Sequence, residues 1–133
     1  MVVADTDVVS YLFKKHALAE AYSRLLAGHS VLIPFMTVAE IEYGMESDGW
    51  GENRRTAMRQ YLEGRFSVAF PDADTVRIWA GVIAGCERKG RPISHGDAWI
   101  AATALQFTAP LATHNAGDYA PVDTLVVLTC QRA

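Results

Sequence analysis

Short apolar runs at residues 2–4, 31–33, 66–70, 110–113 and 125–129 alternate with longer segments whose apolar residues mostly recur at helical spacing. Runs this short and apolar suit strands buried on both faces, and helices between them suit parallel pairing. The expected fold is therefore α/β: three layers, with helices on both sides of a central parallel sheet of four to five strands. Helices are expected over residues 7–14, 17–27, 37–46, 52–63, 73–89 and 97–107. Gly28, Gly64 and Gly90 read as stops, and Pro110 forces a break into a strand. In the longest helix Val76, Trp79, Ala80, Ile83 and Ala84 share one side, which predicts a face laid on the sheet. Residues 47–53, SDGWGEN, read as a loop between two helices that can form a hairpin.

The chain has 133 residues, 50% of them apolar. A chain of this size buries about two-thirds of its unfolded surface, and one domain over residues 1–133 is expected. No apolar run approaches the ~20 residues needed to cross a bilayer. The start, MVVADT, lacks the basic segment and cleavage site of a signal peptide, so a soluble cytoplasmic protein with no membrane partner is expected. Cys86 and Cys130 then read as reduced thiols. A net charge of −3 and a pI of about 5.7 argue against broad attraction to nucleic acid. Contact with nucleic acid needs local clusters, and the candidates are Lys14 with Lys15, Arg54 with Arg55 and Arg59, and Arg88 with Lys89 and Arg91. Each also reads as an ordinary solvated helix face.

Parallel sheets bind ligands beyond the carboxyl ends of their strands. Asp5 closes the first apolar run, Glu40 falls in the first turn of an expected helix, Asp97 begins another, and Asp118 follows the strand ending at Thr113. All four can face one edge of the sheet. Carboxylates are costly to gather without a cation, and an all-oxygen set suits Mg²⁺ or Mn²⁺. Zinc lacks support, since neither the cysteines nor the histidines show its ligand spacing. Taken singly, each acid has a plainer reading. Thr37 with Glu40 and Ser94 with Asp97 fit a capping box, Asp5 to Asp7 can start a helix, and residues 115–118 can form an Asx-type turn. Independent caps give no reason for all four to share one rim.

The words ADTDVVSYL, TVAEIEYG, DAWIAATAL and THNAGDY, in that order, resemble the PIN-domain ribonucleases over nearly the whole chain, most closely the VapC toxins of type II toxin–antitoxin pairs. The resemblance implies a single PIN domain and a Mg²⁺- or Mn²⁺-dependent endoribonuclease. Such an enzyme hydrolyses phosphodiester bonds of transfer or ribosomal RNA to leave a 5'-phosphate and a 3'-hydroxyl. It implies that Asp5, Glu40, Asp97 and Asp118 are the catalytic, metal-binding residues, with Asp5 and Asp97 the most direct ligands. Thr6, Thr113 and Asn115 would orient water or the scissile phosphate. It further implies a homodimer and a cognate VapB-type antitoxin, through which alone DNA is contacted. Trp50 and Tyr61, among Ile41, Tyr43, Met45, Met58 and Leu62, would form a groove for an amphipathic antitoxin helix, although core packing accounts for many of these side chains equally well. Two positions depart from the resembled pattern: Asp7, where Asn or Ser is commoner, and His95, where an acid is frequent.

Two other readings compete. VVADTDVV fits the first motif of haloacid dehalogenase-like phosphatases, with Asp5 as nucleophile and Asp7 as general acid, but Ala101 stands where a further acid is expected and no lysine lies between Lys15 and Lys89. A catalytically silent PIN-like module that binds RNA or protein is the other.

Overall fold

The computed structural model describes residues 1–132. Five strands, β1 (Val2–Ala4), β2 (Val31–Pro34), β3 (Ser67–Ala69), β4 (Leu111–Ala112) and β5 (Val127–Leu128), form one sheet in the order β3-β2-β1-β4-β5. Every pairing is parallel, with Val3 opposite both Leu32 of β2 and Leu111 of β4. The helices are α1 (Thr6–Lys14), α2 (Ala19–Leu26), α3 (Phe35–Ser47), α4 (Glu52–Arg65), α5 (Ala73–Arg88), α6 (His95–Gln106) and the single turn α7 (Ala116–Tyr119).

Because successive side chains of a strand point to opposite faces, β1 feeds two cores. Val2 and Ala4 pack with Val8, Val9, Ile33, Ile41, Met45 and Met58 on the side of α1 to α4. Val3 packs with Val82, Ile100, Ala101 and Leu111 on the side of α5 and α6. All three residues of β1 are wholly buried, so the strand that leads into Asp5 is close-packed on both faces. The helices α3 and α4 form the expected hairpin, held by ion pairs from Arg59 to Glu42 and from Arg55 to Glu46.

Several boundaries differ from expectation, each for a local reason. Helix α3 begins at Phe35, two residues early, with Pro34 at its cap. The Thr37 hydroxyl is therefore inside the helix and donates to the Ala4 carbonyl (3.4 Å), so the expected capping box with Glu40 does not form and Glu40 sits in the second turn. Gly64 does not stop α4, which continues to Arg65 until Phe66 turns extended. Residues 116–119 make a helical turn, so the alternative reading of residues 115–118 as an Asx-type turn does not hold. Helix α6 starts at His95 and not at Asp97, with the Ser94 side chain accepting from the Asp97 amide (3.1 Å).

Candidate active site

Asp5 leaves the end of β1 and caps α1, and its carboxylate is only 6% exposed. Its Oδ1 accepts from the Thr6 amide (2.7 Å), while Oδ2 accepts from the Thr113 hydroxyl (2.7 Å) and the Tyr119 hydroxyl (3.1 Å). Burial, then the charge of Asp7, pushes its pKa up to about 6 against the action of these hydrogen bonds. Asp97, half-buried in the first turn of α6, accepts from the same Tyr119 hydroxyl through Oδ1 (3.3 Å). Its pKa is raised by burial first and by the charge of Asp118 in addition.

Glu40 reaches the centre from α3, and its Oε1 accepts from the Thr6 hydroxyl (3.0 Å). Partial desolvation raises its pKa, and the charges of Asp5 and Asp97 add to the effect. Asp118 is exposed on α7 and lines, with Asp97, Ser94 and Arg91, a cavity of about 320 Å³. The structure therefore brings Asp5, Glu40 and Asp97 into electrostatic contact and sets Asp118 beside Asp97. Among the described residues, none of the four has a lysine or arginine within ion-pair distance.

The residues expected to orient substrate have more specific jobs. Thr6 holds Glu40, and Thr113 holds Asp5 while accepting the Asn115 amide (3.0 Å). The Asn115 side chain donates to Asp7 Oδ2 (2.8 Å). Asp7 also accepts from the His114 and Val8 amides (3.0 and 2.7 Å), so this departure from the resembled pattern anchors the β4–α7 loop. Burial raises the Asp7 pKa, with the charge of Asp97 contributing. The His95 ring lies edge-on against Trp79, 5.4 Å between centroids, and Trp79 stacks on Trp99 at 4.7 Å. One contributor went unseen in the sequence, Tyr119, which follows Asp118 directly, and Thr37 was read there only as a cap for Glu40. No local pattern reveals either contact, since each is made to a strand end distant in the chain.

The donor set fits a hard divalent cation. It consists of oxygens alone, and burial of several carboxylates without a cationic partner is a cost that an ion would offset. Among the described residues no three Asp, Glu, His or Cys side chains converge into a finished chelate. An open ring of carboxylates suits an ion such as Mg²⁺, which keeps several of its waters.

Trp50 and Tyr61 lie away from this centre in one aromatic row. Trp50 is half-buried, with Phe13 stacked at 6.0 Å and the Arg54 guanidinium 3.7 Å over its ring. Tyr61 meets Phe13 edge-on at 5.3 Å and lines, with Leu12, Phe13, Ala19 and Arg65, an open groove of about 520 Å³. A smaller cavity of about 160 Å³ runs from Trp50 past Lys14 to Thr6 and Glu40. Of the basic clusters, Arg55 and Arg59 are spent on α3 and Lys89 pairs with Asp123, whereas Lys14 and Arg91 have no carboxylate partner among the described residues.

The chain matches the PIN domain model over residues 2–124. It is 30% identical over 124 residues to Ribonuclease VapC1 of Haemophilus influenzae (strain R2866), covering 91% of each chain. The fold superposes on VapBC-1 from nontypeable Haemophilus influenzae with a TM-score of 0.79 at 29% identity, covering 97% of this chain and 98% of the other. It also superposes on VapBC-5 from Mycobacterium tuberculosis, described as a member of the VapBC family of toxin–antitoxin systems, with a TM-score of 0.70 at 26% identity over 98% and 97% of the two chains. A family match over nearly the whole chain, together with a relative this similar along its length, shows that the chain belongs to the PIN-domain family, in its VapC branch.

Proposed function

We propose that the protein is a divalent-metal-dependent endoribonuclease acting as the toxin of a toxin–antitoxin pair. The observation that carries this reading is the joining of Asp5 and Asp97 by the Tyr119 hydroxyl at the carboxyl end of the central strand, with Glu40 held by Thr6, Asp118 lining a cavity with Asp97, and no cationic side chain within ion-pair distance among the described residues. Asp5 and Asp97 would hold the ion, with Glu40 and Asp118 adding negative charge beside it. When bound, a Mg²⁺ or Mn²⁺ ion lowers the pKa of water and stabilises charge developing on the phosphodiester. The chain supplies the rest: Thr113 and the Thr6 amide fix Asp5, the Thr6 hydroxyl fixes Glu40, and Asp7 steadies the loop that carries Thr113 to Asp118.

Lys14 and Arg91 line cavities on different sides of this centre, one shared with Glu40 and the other with Asp97 and Asp118. Phosphates flanking the scissile bond are bound there, which lets an acidic protein accept RNA locally. The groove at Tyr61 and Phe13 takes an amphipathic helix of the antitoxin, and the cavity from Trp50 to Glu40 takes its trailing segment. DNA contact is left to the antitoxin.

The test is RNA cleavage by the purified protein with Mg²⁺ or Mn²⁺ and with chelator. Cleavage that needs the ion supports the reading, and cleavage undiminished by chelator sinks it. Cation binding with no RNA cut would favour the silent module, and hydrolysis of a small phosphate ester with RNA left intact would favour the phosphatase.

A further inference from the structure

We infer that Tyr119 is the positioning residue of the metal centre, its hydroxyl setting the separation of the two carboxylates that hold the ion. The inference rests on the metal reading above and adds to it the device that shapes the site. The Tyr119 hydroxyl lies 3.1 Å from Asp5 Oδ2 and 3.3 Å from Asp97 Oδ1, so a single oxygen spans side chains 92 residues apart in sequence, one just past the end of β1 and the other on α6. The residue is only 1% exposed, and its ring belongs to the core on the α5–α6 side with Ile93, Ala98, Ala101 and Leu111. Packing thus fixes the ring, the ring fixes the hydroxyl, and the hydroxyl fixes both carboxylates.

Among the described residues no other side chain performs this bridging. Thr113 donates to Asp5 Oδ2, and Ser94 accepts from the Asp97 backbone amide, so neither reaches both carboxylates. Having one proton, the phenol donates to one carboxylate at a time or shares the proton between them. When it donates to one acid it occupies one oxygen lone pair there, and when shared it holds both oxygens against the same hydroxyl, in each case leaving the outer oxygens for the ion. Groups that orient metal ligands in this way typically change metal affinity or activity by 10- to 100-fold when removed. Octahedral Mg²⁺ is more sensitive to ligand placement than Ca²⁺, which accepts longer and more variable distances.

Tyr119→Phe keeps the ring and removes the hydroxyl. Calorimetric titration with Mn²⁺ is expected to show affinity weakened by about 10- to 100-fold. Cleavage should recover at raised metal concentration, because the RNA contacts are untouched. Ca²⁺ affinity should fall less than Mn²⁺ affinity. A variant that binds Mn²⁺ as tightly as the parent overturns the role, as does an equal loss for both ions. Should the variant fail to fold, the parent protein decides: Mg²⁺ must perturb the near-ultraviolet tyrosine spectrum, and a spectrum unmoved at saturating ion overturns the inference. A parent protein that takes up no divalent cation would defeat the metal reading itself, which is a distinguishable result.

Discussion

Asn115 donates its side-chain amide to Asp7 Oδ2 at 2.8 Å, tying the loop after β4 to the first turn of α1. The same carboxylate oxygen accepts the His114 amide, and Oδ1 accepts that of Val8, so Asp7 spends its hydrogen-bonding capacity within the fold. An Asp in this position is thus a strut for the loop bearing Thr113 and Asp118. It is also unsuited to the free general acid that a phosphatase would need.

Asp7→Ala should lower stability by about 2 kcal/mol, because it leaves half-buried donors without their charged acceptor. It should also slow RNA cleavage by loosening the loop. Asp7→Asn retains an acceptor oxygen and should cost roughly half as much. Urea denaturation and cleavage rates measured side by side check both; equal stability of the Ala variant and the parent would count against the strut.

Asp97→Asn should leave the fold intact and reduce cleavage by roughly 10²-fold or more, since loss of a direct ligand forfeits several kcal/mol of charge stabilisation. Without metal, the variant should melt no lower than the parent, because a half-buried carboxylate with no cationic partner has been neutralised. Retained activity at parental metal concentrations would exclude Asp97 as a ligand.

Asp5 ionises near pH 6 in the folded protein against 3.8 ordinarily, so the folded state holds this proton more tightly than the unfolded chain. Folding takes up a proton between those values. The cost of the buried charge is fully expressed above pH 6, on the order of 3 kcal/mol, and is relieved as pH falls towards 4. In chelator, the melting temperature should therefore rise from pH 7 to pH 5. Saturating Mg²⁺ should lift the curve most at pH 7 and flatten it, because the ion replaces the proton. Melting curves indifferent to both pH and Mg²⁺ would rule out a shared charged site.

Lys14→Ala and Arg91→Ala should each raise KM with little change in kcat. Each should also reduce the dependence of log affinity on log salt by about 0.7, the value for one phosphate contact on a single strand. Binding to a non-cleaved RNA across a salt series checks this, and unchanged slopes would move the RNA path elsewhere.

Trp50→Ala should weaken the antitoxin complex by roughly thirtyfold, equivalent to about 2 kcal/mol, while sparing cleavage by the free protein. Calorimetry with the cognate antitoxin measures it. Unchanged affinity would make Trp50 a packing partner of Phe13 and Arg54 only.

The central strands and the strand-end acid were legible because unbroken apolar runs such as Val2 to Ala4 are both the signal and the cause of burial, whereas the edge strand β3 is largely exposed and not buried on both faces as expected. Thr37 and Glu40 misled for a physical reason. A Thr followed three residues later by Glu looks the same at a helix start and inside a helix, and only the Ala4 carbonyl, met in three dimensions, claims the Thr37 hydroxyl. Gly64 was misread because a helix ends where its capping groups are satisfied elsewhere; the Phe66 amide still reaches the Leu62 carbonyl (3.1 Å). Tyr119 was invisible because its partners lie on β1 and α6, and no spacing within THNAGDY encodes them.

The central place of β1 also sets a timetable. Its partner on one side, β2, emerges soon after it, but its other partner, β4, is made only at residues 111–112, and Thr113, Tyr119 and Asp118 later still. A growing chain therefore holds Glu40 on Thr6 before it holds Asp5 on Asp97, because the hydroxyls of Thr113 and Tyr119 follow β4 in the chain.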